Sequence, residues 1–145
     1  MPAGWDLIVW GWNFDLFICF EMLPGVSTCL AQFEQDRLRE NVSAFQAEHI
    51  TPRAFRLVWA FGTPCYTLSP KGAQALRQKC LPVRPRFLNF PLAKRVPPHI
   101  TQYRTVGIDL LMNLAYGELN AYASFPPLAV TRNEADRSAK PAQLA

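Results

Sequence analysis

The sequence lacks an uninterrupted hydrophobic run that would cross a membrane. Its longest apolar stretch, from Leu7 to Leu23, contains Asn13 and Asp15. A carboxylate at the centre of a bilayer costs about 3 kcal/mol, so this stretch is not expected to span one. No basic residue precedes it in "MPAGWD", which argues against a secretory signal. We therefore expect a cytoplasmic protein without a transmembrane span.

The common motifs for metals and nucleotides are also missing. Neither of the two phosphate-binding glycine motifs, G-x-G-x-x-G and G-x-x-x-x-G-K-[ST], occurs. The two histidines have no second metal ligand at a suitable spacing. The aspartates are too far apart to form a local carboxylate pair for a divalent ion. No C-x-x-C pair occurs, so free thiols are expected rather than a zinc or redox site. The cysteines are Cys19, Cys29, Cys65 and Cys80.

Charged residues are few, at 18% of the chain, and the net charge is only +4. Five of the cations lie between Arg84 and Arg104 without an acidic residue among them, so this segment should carry positive potential. It is a candidate for peripheral contact with a membrane or another anionic surface, and the alternative is a solvated, proline-rich loop. Aromatic and basic residues do not alternate regularly, so nucleic acid is not an expected partner.

What the chain does have is apolar residues and prolines. Half of its 145 residues are hydrophobic, which is enough to form a buried core. Its 13 prolines indicate that much of the chain forms loops. The expected class is α/β, with a mixed sheet and flanking helices. We place the domain at residues 1–130 and a flexible polar tail at residues 131–145.

Residue patterns predict several local elements. Trp5 to Trp10 is a short apolar run bounded by glycines and predicts a central strand covered on both faces. Apolar spacings of three to five between Ser27 and Glu48 predict one or two amphipathic helices, with Ser27 as the first cap. The alternating segment 54–61 and the later segment "AYASF" predict strands.

The segment "FGTPCYTLSPKGAQAL", from Phe61 to Leu76, combines a turn, a short strand and a helix start. Gly62 ends one strand, "CYTL" forms the next, and Ser69 with Pro70 provides the N-cap and first position of a helix. In this helix the spacing places Ala73, Leu76 and Cys80 on one apolar face.

A second helix is predicted for "GIDLLMNLAYGEL", from Gly107 to Leu119. Asp109, Asn113 and Tyr116 form a polar row along it. Such a row is either part of a site or the solvated side of the helix, and the pattern alone leaves both interpretations open.

Four segments in this order resemble glycosyltransferase family 25, which includes bacterial lipopolysaccharide and lipooligosaccharide sugar transferases and collagen galactosyltransferases. "FGTPCYTLSPKGAQAL" is similar to the family's G-T-x-x-Y-x-(L/I)-S-x-x-G-A segment. "GWDLIVWG" resembles its Asp-hydrophobic-hydrophobic strand, "GIDLLMNL" its helix that begins with Asp, and "YASFPPLA" its closing Tyr-x-x-x-Pro-Pro-Leu run. Together the four cover most of Trp5 to Ala129.

The resemblance implies a GT-A-like, Rossmann-like domain that transfers a hexose from a nucleotide sugar, often UDP-galactose, to an acceptor hydroxyl with inversion. It implies Asp109 as the catalytic or orienting carboxylate near the acceptor. It also implies that Gly62, Thr63 and Tyr66 line the substrate pocket. Asn13 and Asn113 are further substrate-binding candidates. The alternative for the turn residues is a plain hairpin with a packed tyrosine.

Intact family members have an upstream nucleotide-binding half whose acidic motif holds Mn²⁺. The chain is expected to match only the C-terminal portion, as a partial domain whose activity depends on such a half. A complementing chain or self-association is then expected to cover its strand edges. A second hypothesis is a non-catalytic carbohydrate-binding or protein-interaction remnant, based on Trp5, Trp10 and Trp12. A third is a thiol hydrolase that uses Cys65 with His99.

Overall fold

The computed structural model describes residues 1–11, 17–89, 102–105 and 107–131. Asn13, Trp12, His99 and the tail from residue 132 onward lie outside these ranges. The described elements are, in chain order, β1 (Leu7–Gly11), β2 (Phe17–Leu23), β3 (Ser27–Gln32), α1 (Gln35–Glu40), α2 (Val42–Ala47), β4 (Arg53–Ala60), β5 (Cys65–Leu68), α3 (Pro70–Cys80), β6 (Arg86–Asn89), β7 (Gln102–Thr105), α4 (Ile108–Tyr116) and β8 (Ala121–Phe125).

Six of the strands form one mixed sheet in the order β3-β2-β4-β8-β1-β5. Strand β1 runs parallel to β8, with Leu7 beside Ala121, and antiparallel to β5 on its other side. Strands β6 and β7 form a separate antiparallel pair. The predicted α/β class, a mixed sheet with flanking helices, is confirmed, and the arrangement is compatible with a Rossmann-like fold.

The main core lies between the sheet and the two longer helices. Helices α3 and α4 contact each other, and α4 also contacts β4. Leu76 of α3 and Leu111 of α4 belong to one buried cluster with Leu7 and Val9 of β1. Leu7, Ile8 and Val9 each have 0% exposure, which confirms that β1 is covered on both faces.

Most predicted elements are confirmed with small shifts in their ends. Segment 54–61 corresponds to β4, "CYTL" to β5 and "AYASF" to β8. The helix predicted over Gly107 to Leu119 is α4, which ends at Tyr116. In α3, Leu76 and Cys80 are buried as expected, whereas Ala73 is exposed and Gly72 takes its place on the inner face.

The prediction of helix from Ser27 onward is wrong for its first part. Residues Ser27–Gln32 form β3, which pairs with β2 as a hairpin, and the two short helices begin only at Gln35. A turn joins the strands, in which Gly25 has φ +70° and the Val26 N–H bonds to the Leu23 carbonyl at 2.9 Å. The apolar spacing in this segment fits either structure, and pairing with β2 decides between them.

Asp6, just before β1, is the most connected buried polar residue that the structure describes. Its carboxylate accepts hydrogen bonds from the Lys71 ammonium at 2.8 Å, the Asn120 N–H at 3.0 Å and the Ser69 hydroxyl at 3.3 Å. Its backbone N–H donates to the Asn120 carbonyl, and its carbonyl accepts from the Ser69 N–H, both at 2.9 Å. The start of α3 and the turn before β8 are thereby fixed to the start of β1.

The same contact explains a glycine in the first turn of α3. Ser69 caps the helix as predicted, because its hydroxyl accepts the Gly72 N–H at 3.0 Å. A Cβ on Gly72 would lie 2.1 Å from the Asp6 carbonyl oxygen, which is far inside van der Waals contact. Helix α3 therefore approaches the backbone of β1 at a distance that only glycine permits.

Replacing Gly72 with alanine should destabilise the protein, although alanine is the better helix former by about 1 kcal/mol. The new methyl group forces α3 away from Asp6, so we expect the free energy of unfolding to fall by about 2 kcal/mol or more. Urea denaturation followed by circular dichroism measures this change. Gly117→Ala is the matched control, because a Cβ there has nothing within 4 Å. Equal stability of the two variants would contradict the close approach.

The Asp6 carboxylate should make stability depend on acid pH. The hydrogen bond from Lys71 is the main cause that holds its pKa below the usual 3.8, and the Asn120 N–H acts in the same direction. A carboxyl group with a lowered folded pKa contributes stability that is complete above the unfolded value and is lost as pH falls through the folded one. We therefore expect this contribution to be complete above about pH 5 and to be lost progressively as the pH falls below 3.8.

Asp6→Asn should lower the free energy of unfolding at pH 7 by about 1–3 kcal/mol, because charge-assisted bonds become neutral ones. The difference in the free energy of unfolding between the parent protein and Asp6→Asn should become smaller as the pH is lowered from 5 to 2. Asp36→Asn is the control, since that carboxylate belongs to an exposed ion pair with Arg39 and should change stability by less than about 1 kcal/mol. A pH-independent effect of Asp6→Asn would contradict the linkage.

Candidate functional site

The turn at Gly62 and the first turn of α4 meet in the folded protein. The Gly62 N–H donates to Oδ2 of Asp109 at 3.2 Å, across 47 positions of sequence. Gly62 is buried and has φ +72°, a conformation that side chains other than glycine rarely adopt. Asp109 is half-buried, and among the described residues its Oδ1 has no hydrogen-bond partner. The Gly62 N–H thus holds one carboxylate oxygen of Asp109 in place.

One turn further along α4, Asn113 binds the last residue of β4. Its Oδ1 accepts the Ala60 N–H at 2.9 Å, and its Nδ2 donates to the Ala60 carbonyl at 2.8 Å. The same Nδ2 lies within hydrogen-bond distance of the Asp109 and Leu110 carbonyls of its own helix. This side chain therefore joins α4 to the end of β4 much as a neighbouring strand would.

The polar row predicted on α4 is therefore not its solvated side. Asp109 and Asn113 contact the backbone between Ala60 and Gly62, and Tyr116 is buried at 1% exposure. The apolar residues Leu111, Met112 and Ala115 of α4 are buried, whereas Ile108 is 46% exposed.

The Tyr116 hydroxyl is buried without a hydrogen-bond partner among the residues that the structure describes. Burial is the main cause that raises its pKa above the usual value, and the negative charge of Asp109 adds to the rise. The hydroxyl therefore remains protonated at neutral pH. Its lack of a partner could not be read from the sequence, where Tyr116 belongs to the polar row.

Tyr66 and Thr63 lie on the two sides of the turn that Gly62 begins. Tyr66 is opposite Val9 in the β1/β5 pair and is 40% exposed, and Thr63 is half-buried. Tyr66 lines a cavity of about 250 Å³ between β5, α3 and α4, together with Ile108 and Met112. Gly62 and Asp109 contact each other beside this cavity but do not belong to its lining. Asn13, the remaining candidate, lies outside the described residues.

The four segments on which the family resemblance rests are neighbours in the fold. Strand β1 pairs with β5 and β8, and the Leu128 N–H donates to the Trp10 carbonyl at 2.7 Å. A Cβ on Gly11 would lie 2.6 Å from the Ala129 carbonyl, so the two backbones are in direct contact. Trp10 also donates its indole N–H to the Thr67 hydroxyl at 3.1 Å. With the bond between Gly62 and Asp109, all four segments form one connected unit.

The described residues hold no group of three or more His, Cys, Asp or Glu side chains that could bind a metal ion. They therefore do not supply a ligand set for the Mn²⁺ that the resemblance implies. In the basic segment from Arg84 to Arg104, the ends form the β6/β7 pair, and Arg84 and Arg86 are exposed. Lys94 and Arg95 lie in the part of the chain that is not described.

The thiols are free within the described chain, and two of them are poorly suited to nucleophilic chemistry. Burial raises the pKa of Cys19 to about 11 and also raises that of Cys80. A protonated thiol is a weak nucleophile. Cys65 is half-buried, and the proposed partner His99 lies outside the described residues. No described helix is long and apolar enough to cross a membrane.

Comparisons of the chain with models of known protein families, with curated proteins and with solved structures found no match.

The unpartnered Tyr116 hydroxyl gives a prediction about stability. Replacing Tyr116 with Phe removes a buried polar group that has no partner, so the free energy of unfolding at pH 7 should stay equal or rise by about 1 kcal/mol. Above pH 10 the unfolded tyrosine ionises while the folded one keeps its proton, so the parent protein should lose up to about 1.4 kcal/mol per pH unit from this group.

Urea denaturation of both proteins at pH 7, 9, 10 and 11 tests this expectation, and the variant should have the shallower alkaline slope. Tyr122→Phe is the control, because that residue lies on β8 and is not fully buried. A loss of 2 kcal/mol or more for Tyr116→Phe at pH 7 would show that the hydroxyl has a stabilising partner.

Proposed function

We propose that this chain carries the acceptor side of a glycosyltransferase that moves a hexose from a nucleotide sugar of the UDP-galactose type to a hydroxyl of a glycan or lipopolysaccharide-type acceptor. The support is the ordered resemblance to glycosyltransferase family 25 together with the contact between two of its segments. The single observation that carries the proposal is the hydrogen bond between the Gly62 N–H and Asp109.

In the proposed reaction the acceptor oxygen attacks the anomeric carbon of the donor sugar. The bond from that carbon to the diphosphate oxygen breaks, and the configuration inverts. The acceptor proton passes to Oδ1 of Asp109, and the diphosphate leaves with the bonding electrons. The Gly62 N–H fixes the carboxylate plane through Oδ2, and Asn113 fixes the helix that presents it. Such positioning is a large part of what an enzyme contributes.

A departing diphosphate needs positive charge near it, which Mn²⁺ supplies in an intact family member. The described residues do not form a site for this ion, so the proposed roles are limited to Asp109, the Gly62 turn and Tyr66. The Tyr66 side chain is 40% exposed close to the turn, which suits contact with a sugar.

Asp109→Asn is the sharpest test of the catalytic assignment. An asparagine Oδ1 still accepts the Gly62 N–H, so the fold is kept while the base is removed. The chain is assayed in a complex reconstituted with the nucleotide-binding half of a family 25 enzyme. We expect transfer of radiolabelled galactose from UDP-galactose to lipopolysaccharide, measured with Mn²⁺ present, to fall by about 100-fold or more. Glu118→Gln should leave transfer unchanged, because that carboxylate pairs with Lys79 on the surface.

Two results would overturn the proposal. One is unchanged turnover in Asp109→Asn at equal thermal stability. The other is the absence of any transfer when the chain is combined with the nucleotide-binding half of a family 25 enzyme and supplied with UDP-galactose or UDP-glucose and with lipopolysaccharide or collagen-peptide acceptors.

A non-catalytic carbohydrate-binding domain is the second candidate. It is favoured by the hydrogen bonds of Asp109 and Asn113 to backbone groups at the end of β4, which suffice to explain both side chains as structural. Binding on a glycan array without any nucleotide, combined with no transfer, would support this candidate over the enzyme.

A further inference from the structure

A second cavity lies at the other end of β4 from the Gly62 turn. It has a volume of about 490 Å³, within the range of small-molecule sites, and opens between the α1–α2 helices, residues 48–51 and the chain after β8. Strand β4 has eight residues, so its two ends are roughly 23 Å apart at about 3.3 Å per residue. This cavity, called the α1–α2 cavity below, is therefore separate from Asp109.

The walls of the α1–α2 cavity are mostly apolar and come from fixed parts of the fold. Phe33 forms one wall and also packs against the main core, and Leu38 and Phe45 contribute one side chain from each short helix. Pro126 and Pro127 form the opposite wall, where the Ser124 hydroxyl donates to the Pro126 carbonyl at 2.8 Å.

The ionisable groups in the lining have one predominant sign. Among the described residues of the lining, Glu34 and Glu48 are carboxylates, His49 is the other ionisable residue, and there is no lysine or arginine. Glu34 lies 3.8 Å from Arg37 in an exposed pair, which neutralises it only weakly. Glu48 has no ion-pair partner among the described residues. This acidic rim occurs in a chain whose net charge is +4, so it is a local feature and not the general character of the surface.

We propose that the α1–α2 cavity binds a small hydrophobic amine, with an aromatic or aliphatic body against the apolar walls and an ammonium group beside Glu48. The apolar walls favour burial of a ring system, and the lining includes the aromatic residues Phe33 and Phe45. The carboxylates attract an ammonium and repel a carboxylate or phosphate. This site is independent of the glycosyltransferase proposal.

The test uses three probes of nearly equal shape: 1-naphthylmethylamine, 1-naphthylmethanol and 1-naphthoate. Each is titrated into the ¹⁵N-labelled full chain at pH 7.5 and followed by two-dimensional NMR. We expect the amine to shift the amides of Leu38, Phe45 and Val130 with a Kd on the order of 0.1–1 mM. The alcohol should bind about 3- to 10-fold more weakly, and the carboxylate more weakly again.

Glu48→Gln distinguishes the contribution of the carboxylate charge to binding from that of the apolar walls. This substitution should weaken binding of the amine by about 3- to 10-fold and leave binding of the alcohol unchanged, because only the ammonium interacts with the carboxylate. Phe45→Ala should weaken all three probes. Glu118→Gln, an exposed carboxylate outside the cavity, should change none of them. Because Glu48 is exposed, its variant tests the proposal even if Phe45→Ala does not fold.

Three results would overturn the proposal. The first is equal binding of the amine and the naphthoate, and the second is an unchanged preference for the amine in Glu48→Gln. The third is a concentration-dependent dimer, seen by sedimentation, that the amine dissociates, because the cavity would then be an interface between two copies of the chain.

Discussion

The buried carboxylate of Asp6 is the interaction on which the arrangement of the core depends. It takes hydrogen bonds from residues 63, 65 and 114 positions away and so fixes α3 and the start of β8 against β1. A buried carboxylate is costly unless it is fully paired, and here an ammonium, a hydroxyl and a backbone N–H meet that requirement. The fit of Gly72 against the Asp6 carbonyl follows from the same docking. Misplacing α3 would therefore leave a charge unpaired as well as open the core.

A second set of hydrogen bonds, between α4 and the end of β4, positions the candidate site. Asp109 and Asn113, one turn apart on α4, bind the backbone from Ala60 to Gly62 and align the helix with the end of β4. A catalytic carboxylate needs hydrogen bonds that hold it in position. A side chain whose role is only to join α4 to β4 needs the same hydrogen bonds and no others. The geometry of the bonds is therefore compatible with both roles. The two roles differ in the second carboxylate oxygen of Asp109. A structural role does not use this oxygen, whereas a catalytic base requires it.

Local signals in the sequence predicted much of this structure. The cap at Ser69, the proline at the first position of α3 and the alternation in β4 depend on neighbours within a few residues, so they could be read directly. The position of Asp109 on the first turn of α4 was also predicted. Its contact with Gly62 could not be read from local spacing, because the bond joins residues 47 positions apart.

The features that were missed have non-local causes. Segment 27–32 has an apolar spacing that fits a helix, and only the neighbouring β2 makes it a strand. Asp6 looks like an ordinary residue before a strand, since its partners Lys71 and Asn120 are far away in the chain. The α1–α2 cavity is assembled from four separate segments, none of which carries a recognisable motif. Pairing, burial and cavity shape are properties of the folded chain as a whole.

The position of β1 in the sheet has a consequence for synthesis on the ribosome. Its parallel neighbour β8 follows 114 residues later, as the pairing of Leu7 with Ala121 shows. At 5–20 residues per second, roughly 6 to 23 s pass before that neighbour has been translated. During this interval a wholly apolar strand has emerged with one flank unpaired. Until β8 emerges, this edge of β1 is open to non-native pairing with other extended segments.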